Sequence, residues 1–184
     1  MTDIENDIIE ACKRGNTKAQ TTVYEQYAKA MYNTALRMLQ RADQAEDATQ
    51  EAFIKAFSML NSFRNESSFG AWLKRIVINE TLMIMRKEKK YLPTEYFIDN
   101  QEDDNLQETW DFQEEEIKIL LYALGKLPEK QRVILNLSLI EGFDNQEISQ
   151  ILNLTDANCR TSISRAKTAL KQTIKTIKNE QNNF

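Results

Sequence analysis

Histidine is absent from this chain of 184 residues, and glycine (four), proline (two) and cysteine (two) are scarce. Without an imidazole there is no Ser-His-Asp or Cys-His centre, no His-ligated zinc and no side chain that shuttles protons near neutral pH. The glycines stand too far apart to form a phosphate-cradling loop. Cys12 and Cys159 make no CxxC motif, and each falls in a helical apolar pattern, which predicts buried thiols in a reducing compartment. The N-terminal stretch Met1–Asn16 is acidic and lacks the apolar segment of a signal peptide. The longest uninterrupted apolar run, Ile119–Leu124, is far too short to span a bilayer. Carboxylates do cluster, as Glu46/Asp47 and Glu114–Glu116, but consecutive helical residues point in different directions and chelate poorly. The expectation is a cytoplasmic, non-enzymatic protein with no cofactor, no metal and no membrane insertion.

Apolar residues make up 41% of the chain and charged ones 28%, a balance that supports folded cores. Few turn residues and long stretches of apolar spacing at three and four predict an all-α fold. The net charge of −4 conceals a segregated pattern. Residues 71–90 carry six bases against two acids, residues 91–116 carry ten acids and no base, and residues 155–184 again carry six bases against two acids. Two basic patches flank an acidic connector, and such patches are the footprint of a polyanionic partner even when the overall pI is low. The connector, with Pro93 and the run Glu102-Asp103-Asp104, reads as a flexible, self-repelling linker. The chain therefore divides into two small helical domains, 1–90 and 115–184, joined by the linker 91–114.

In the first domain, four helices are expected. They run over Asp3–Lys13 (ended by Gly15), over Thr17–Leu39 with Tyr24, Tyr27, Met31, Ala35 and Leu39 inward, from a cap at Asp43 with Phe53, Phe57 and Leu60 inward, and from about Phe69 into Arg86-Lys87-Glu88-Lys89-Lys90. On the third, Glu46, Asp47, Gln50 and Glu51 form an acid-and-amide face suited to an Arg/Lys-rich partner. The polar loop Arg64-Asn65-Glu66-Ser67-Ser68, beside Phe63 and Phe69 and ahead of the cations Lys74 and Arg75, has the means to hold single-stranded nucleic acid: cations for phosphates, amides, hydroxyls or a ring for an unstacked base. Most of those rings are also good core candidates.

The second domain is more explicit. Pro128 opens a helix expected to run to about Ile140. Asp144-Asn145-Gln146-Glu147 is a capping box opening a short helix. Asn153-Leu154 makes a turn, and Thr155 caps a last helix with Cys159, Ile163, Ala166, Leu170, Ile174 and Ile177 inward. This is a helix-turn-helix whose second helix would enter the DNA major groove. Its outer side presents Asn158, Arg160, Thr161, Ser164, Arg165, Lys167 and Thr168, residue types that pair with guanine, adenine or phosphate.

These residues resemble a known family. Ala45-Glu46-Asp47-Ala48-Thr49-Gln50-Glu51-Ala52-Phe53, Phe63-Arg64, Phe69-Gly70-Ala71-Trp72-Leu73-Lys74-Arg75-Ile76 and Asn79 are similar to the second domain of bacterial sigma factors. Leu127-Pro128-Glu129-Lys130-Gln131-Arg132, Glu147-Ile148-Ser149-Gln150-Ile151-Leu152 and Ser164-Arg165-Ala166-Lys167 are similar to the fourth. Two domains with only a linker between them resemble the extracytoplasmic-function group of the sigma-70 family. The resemblance implies a protein that directs core RNA polymerase to promoters. Asp47, Gln50 and Glu51 would meet the clamp helices of the beta-prime subunit. Arg64, Asn65, Ser67, Ser68 and Phe69, with Lys74, Arg75 and Asn79, would recognise and open the minus ten element around a flipped base. Arg160, Thr161, Ser164 and Arg165, flanked by Asn158 and Lys167, would read the minus thirty-five element. The beta flap and an anti-sigma factor are further implied partners, and the linker would thread polymerase channels. Asn153 stands where such turns often have Gly, and Asn158 and Ser162 depart from common family residues, which bears on promoter sequence. The alternatives are a stand-alone helix-turn-helix regulator of duplex operators, which has no use for the acidic face, and a helical adaptor, which leaves the cations unexplained.

Overall fold

A computed structural model of the chain describes residues 3–88 and 114–181; the acidic linker, with Lys89 and Lys90, lies outside the described residues. All regular elements among them are helical. They fall into two compact units that divide after Tyr91.

The first unit contains α1 (Asp3–Lys13), α2 (Thr17–Leu39), α3 (Ala42–Ser58) and α4 (Phe69–Glu88). Local chemistry sets the boundaries. Gly15 takes the left-handed conformation (φ 78°) between α1 and α2, and Asn16 caps α2, its Oδ1 accepting from the Ala19 N–H at 3.1 Å. Helix α2 closes with Gln40 at φ 59°, whose N–H donates to the Leu36 carbonyl. Helices α2, α3 and α4 each pack on the other two. Close approach is possible because the inner face of α3 is small: Ala45, Ala48, Ala52 and Ala56 are all fully buried. Val23, Met31, Met38, Phe53, Leu60, Leu73, Val77 and Ile78 fill the space between, each stabilising the unit by roughly 1.5–3 kcal/mol through burial.

Several sequence expectations change here. Asp43 is not the cap of α3. Arg41 occupies that position without a side-chain cap bond, and Asp43 lies inside the first turn, accepting from the Arg41 guanidinium at 2.8 Å. That bond, first among its causes, holds the Asp43 carboxyl below its ordinary value. Tyr24 is not in the core but 42% exposed, because the buried arc of α2 is centred on Val23, Met31, Thr34, Ala35 and Met38.

A buried charge was not legible at all. Glu80 on α4 is enclosed, and both its carboxylate oxygens accept from Lys55 Nζ on α3 at 2.8 Å. Removing the ammonium strands the carboxylate, so Lys55→Met is expected to destabilise the unit by about 1–3 kcal/mol. The figure lies below that of a fully buried pair because Lys55 is itself partly hydrated. The double variant Lys55→Met/Glu80→Leu is expected to recover most of the loss, read from urea unfolding midpoints.

The second unit contains α5 (Glu114–Lys126), α6 (Glu129–Leu135), α7 (Asn145–Leu152) and α8 (Asp156–Gln181). Helix α8 is its spine, contacted by α5, α6 and α7. Pro128 caps α6 rather than starting it. The regular helix expected to reach Ile140 gives way after Leu135 to a wider π turn, Asn136–Ile140. There the Glu141 N–H donates to the Asn136 carbonyl five residues back, while the buried Asn136 side chain donates to the Arg132 carbonyl at 2.9 Å. Ile134, Leu135, Leu137, Ile148 and Leu170 are the largest fully buried side chains of this core.

Candidate nucleic-acid interface

Three exposed surfaces follow from this framework. The first is the outer side of α3. Burying the alanine face turns Glu46, Asp47, Gln50 and Glu51 outward, all four exposed. Ile54, four residues after Gln50 and seven after Asp47, lies on the same side and is 62% exposed. Beside it Tyr24 rests its ring on Phe53 at a centroid distance of 4.8 Å. An exposed apolar group at the end of a row of acids and amides is the composition of a protein-binding patch. Sequence reading missed Ile54, although an apolar residue directly after Phe53, out of register with the alanine stripe, was the available signal.

The second surface is the loop before α4 and the first turns of that helix. Phe63 anchors the loop at one end and Phe69 at the other. Between them Arg64, Asn65, Glu66, Ser67 and Ser68 are all exposed, with Asn65 left-handed at φ 59°. Ser68 caps α4, its Oγ accepting from the Ala71 N–H at 3.2 Å. Phe69 departs from the base-contacting role expected for it. Its ring is completely buried, with centroids 5.5 Å from Tyr27, 5.6 Å from Phe63 and 5.6 Å from Trp72. Neighbouring Gly70 is confined by the same packing, since a Cβ there would come within 2.9 Å of Tyr27 Cε1. Phe69 therefore positions the loop and does not face solvent. Trp72, like Tyr27, is a partly exposed ring of this cluster. Arg75 and Asn79 stand exposed one turn apart, and Lys74 is half-buried with a partner of its own. Arg86, a further two turns on from Asn79, extends the cationic side and is exposed.

The third surface is the helix-turn-helix. Both halves of the capping box form: the Glu147 N–H donates to Asp144 Oδ1 at 2.8 Å, and the Asp144 N–H donates to Glu147 Oε2 at 3.0 Å. Asn153 adopts φ 55°, ψ 50°, the left-handed turn that Asn tolerates, and the Leu154 N–H closes on the Ser149 carbonyl at 2.8 Å. Thr155 caps α8, its Oγ1 accepting from the Asn158 N–H at 3.2 Å. Cys159 is fully buried, its thiol donating to the Asn145 carbonyl at 3.4 Å across the junction of α7 and α8; burial pushes its pKa up to about 11, so it remains a thiol. Cys12 is likewise buried and free, with its pKa raised by burial.

On the outer side of α8, Arg160 is exposed and pairs through one guanidinium nitrogen with Asp156 one turn earlier. Thr161 donates its hydroxyl to the Ala157 carbonyl at 3.0 Å, leaving the hydroxyl's acceptor capacity and methyl outward. Ser164, Arg165 and Lys167 are half-buried on the same or a flanking face, and Asn158 sits at its edge. The structure thus gathers the α8 residues on one helix and the loop and α4 residues on another unit. No described helix is long and apolar enough to cross a membrane.

Known proteins resemble this chain along both units. Residues 23–91 match the family described as sigma-70 region 2, and residues 117–170 match sigma-70, region 4. The ECF RNA polymerase sigma factor SigW of Bacillus subtilis is 29% identical, covering 92% of this chain and 96% of that protein. The chain belongs to the sigma-70 family, in its extracytoplasmic-function (ECF) group. This sigma factor is also 26% identical to the ECF RNA polymerase sigma-E factor of Escherichia coli, over 92% of the chain and 94% of the relative. Its fold is that of the sigma factor RpoE of Bartonella quintana, solved in complex with the anti-sigma factor NepR (TM-score 0.57, 22% identity, 84% of this chain and 96% of that one). The two family matches fall on the units that carry the α3 face and the α7–α8 motif, so the stand-alone regulator is not favoured.

Proposed function

We propose that this sigma factor engages core RNA polymerase through the outer face of α3, opens promoter DNA at the loop 64–68 with α4, and reads an upstream duplex element with α8. The single observation that carries the reading is the opposition of charge between the surfaces. An exposed acid-and-amide row with Ile54 at its end stands on α3, while cations stand on α4 and α8. The acidic row repels phosphates and suits a basic protein partner, the clamp helices of beta-prime; the cationic helices suit DNA. Asp47, Gln50 and Glu51 take the first role. Arg64, Asn65, Ser67 and Ser68, with Lys74, Arg75 and Asn79, take the second, and Trp72 replaces Phe69 as the ring available to an unstacked base. Unstacking a base costs a few kcal/mol, which contacts to the base and the phosphates must offset. Asn158, Arg160, Thr161, Ser164, Arg165 and Lys167 take the third role. The protein acts without catalysis of its own, in the cytoplasm, with the beta flap as a further contact and the linker threading polymerase channels. The Bartonella relative's complex supports an anti-sigma partner here as well.

Transcription in vitro tests the reading. Core bacterial polymerase and genomic DNA of the source organism, incubated with the protein, are expected to give new RNA 5′ ends that share two upstream elements. No new starts, together with tight duplex binding by the protein alone, would replace the sigma reading by a repressor. On a promoter so mapped, Arg165→Ala is expected to weaken recognition by about 1–3 kcal/mol without loosening polymerase binding.

A further inference from the structure

The distal half of α8 has no role in the functions above. The region 4 match ends at residue 170, and Leu170 is also the last fully buried side chain of the helix, yet α8 continues to Gln181. Lys167, Lys171, Lys175 and Lys178 succeed one another at intervals of four, four and three residues. That spacing keeps them on one side, the side that presents Arg160 and Ser164. Lys171, Lys175 and Lys178 are exposed. Between Asp156 and Glu180 the helix carries six bases and no acid, so the glutamates that normally support an exposed lysine face at i, i+4 are missing. Asp156 is held by Arg160 at the start of this face, and Glu116 of α5 approaches Lys178 at a long 3.8 Å. A helix of 26 residues is about 39 Å long, at about 1.5 Å per residue, whereas a groove helix contacts base edges with its N-terminal residues.

We propose that Lys171, Lys175 and Lys178 form a phosphate-contact track that carries the DNA footprint of α8 past the groove read by its first turns. The proposal rests on the reading of α8 as the groove helix. The track is continuous with the recognition face, matches the backbone in charge and carries no sequence information, so it contributes affinity and register at every promoter alike.

The test uses the full chain with core polymerase on duplex carrying the mapped promoter. Wild type, the triple variant Lys171→Gln/Lys175→Gln/Lys178→Gln and Arg165→Ala are compared from 50 to 200 mM salt, with helicity checked by circular dichroism. Each lost phosphate contact lowers the slope of log K against log salt by about 0.9. The triple variant is therefore expected to bind more weakly at low salt and to lose about 40-fold less affinity than wild type across that range. Its deficit is expected to be equal at all promoters. An unchanged slope overturns the proposal, and so does a loss of affinity for core polymerase with an unchanged slope, which would set the lysines against protein. A neutral Arg165→Ala alongside a neutral triple variant would instead sink the assignment of α8 to DNA, and the track with it.

Discussion

Phe69→Ala is expected to destabilise the N-terminal unit by about 3–5 kcal/mol, not to remove a contact to DNA selectively. The ring is wholly buried among Tyr27, Phe63 and Trp72, and it sits where the loop 64–68 enters α4. Alanine leaves a cavity that three aromatic neighbours cannot all collapse into, and it unpins the loop. A domain stable by only about 5–15 kcal/mol feels that loss directly. Phe69→Leu, which keeps most of the volume, is expected to hold the fold with about 1–2 kcal/mol lost and to retain promoter opening. Arg64→Ala, at an exposed loop position, is expected to change stability by less than about 0.5 kcal/mol while weakening promoter opening. Urea unfolding followed by tryptophan fluorescence, set beside open-complex formation on one promoter, separates the cases. A Phe69→Ala protein of wild-type stability that fails only to open DNA would return the ring to the base-contacting role.

Asp47→Ala and Ile54→Glu form the second pair. Both positions are exposed and turned away from the alanine face of α3, so neither change is expected to move stability by more than about 0.5 kcal/mol. Affinity for core polymerase is another matter. Truncating one member of a charge pair that becomes buried in an interface costs about 2–5 kcal/mol, and a new carboxylate at residue 54 would be desolvated against the partner with nothing to pair it. Competition for core enzyme between labelled wild type and each variant is expected to reveal the loss, equal at all promoters because the DNA-reading helices are untouched. Wild-type competition by Ile54→Glu would remove α3 from the polymerase interface.

The parts of this molecule legible in the sequence were those written in neighbouring residues. The capping box of Asp144 and Glu147, the left-handed turn at Asn153, the Thr155 cap and the ends of α1 and α2 all depend on groups within a few positions, and the structure forms each of them. The acid-and-amide side of α3 and the cationic side of α8 were equally readable, since helical spacing alone decides which residues share a face.

What periodicity could not supply was the rotation of each helix against its neighbours. Tyr24 and Val23 are adjacent, and only the packing of α2 against its neighbouring helices decided that Val23 is buried and Tyr24 partly exposed. Phe69 satisfied both a core pattern and a base-stacking pattern until Tyr27, Phe63 and Trp72 closed over it. Nothing near Glu80 in sequence marks it as buried, and its pairing with Lys55 joins residues 25 apart. The π turn at Asn136 likewise required burial of a polar side chain that then sought the carbonyl of Arg132. The all-helical class, the ends of α1 and α2, the capped helix-turn-helix and the sign of each exposed face were written in the sequence, because these follow from local hydrogen bonding and a fixed residue period. Tertiary structure alone decided which ring is a strut, which acid is buried and which isoleucine is left for a partner, because burial is a property of the surfaces that meet and not of either strand of sequence.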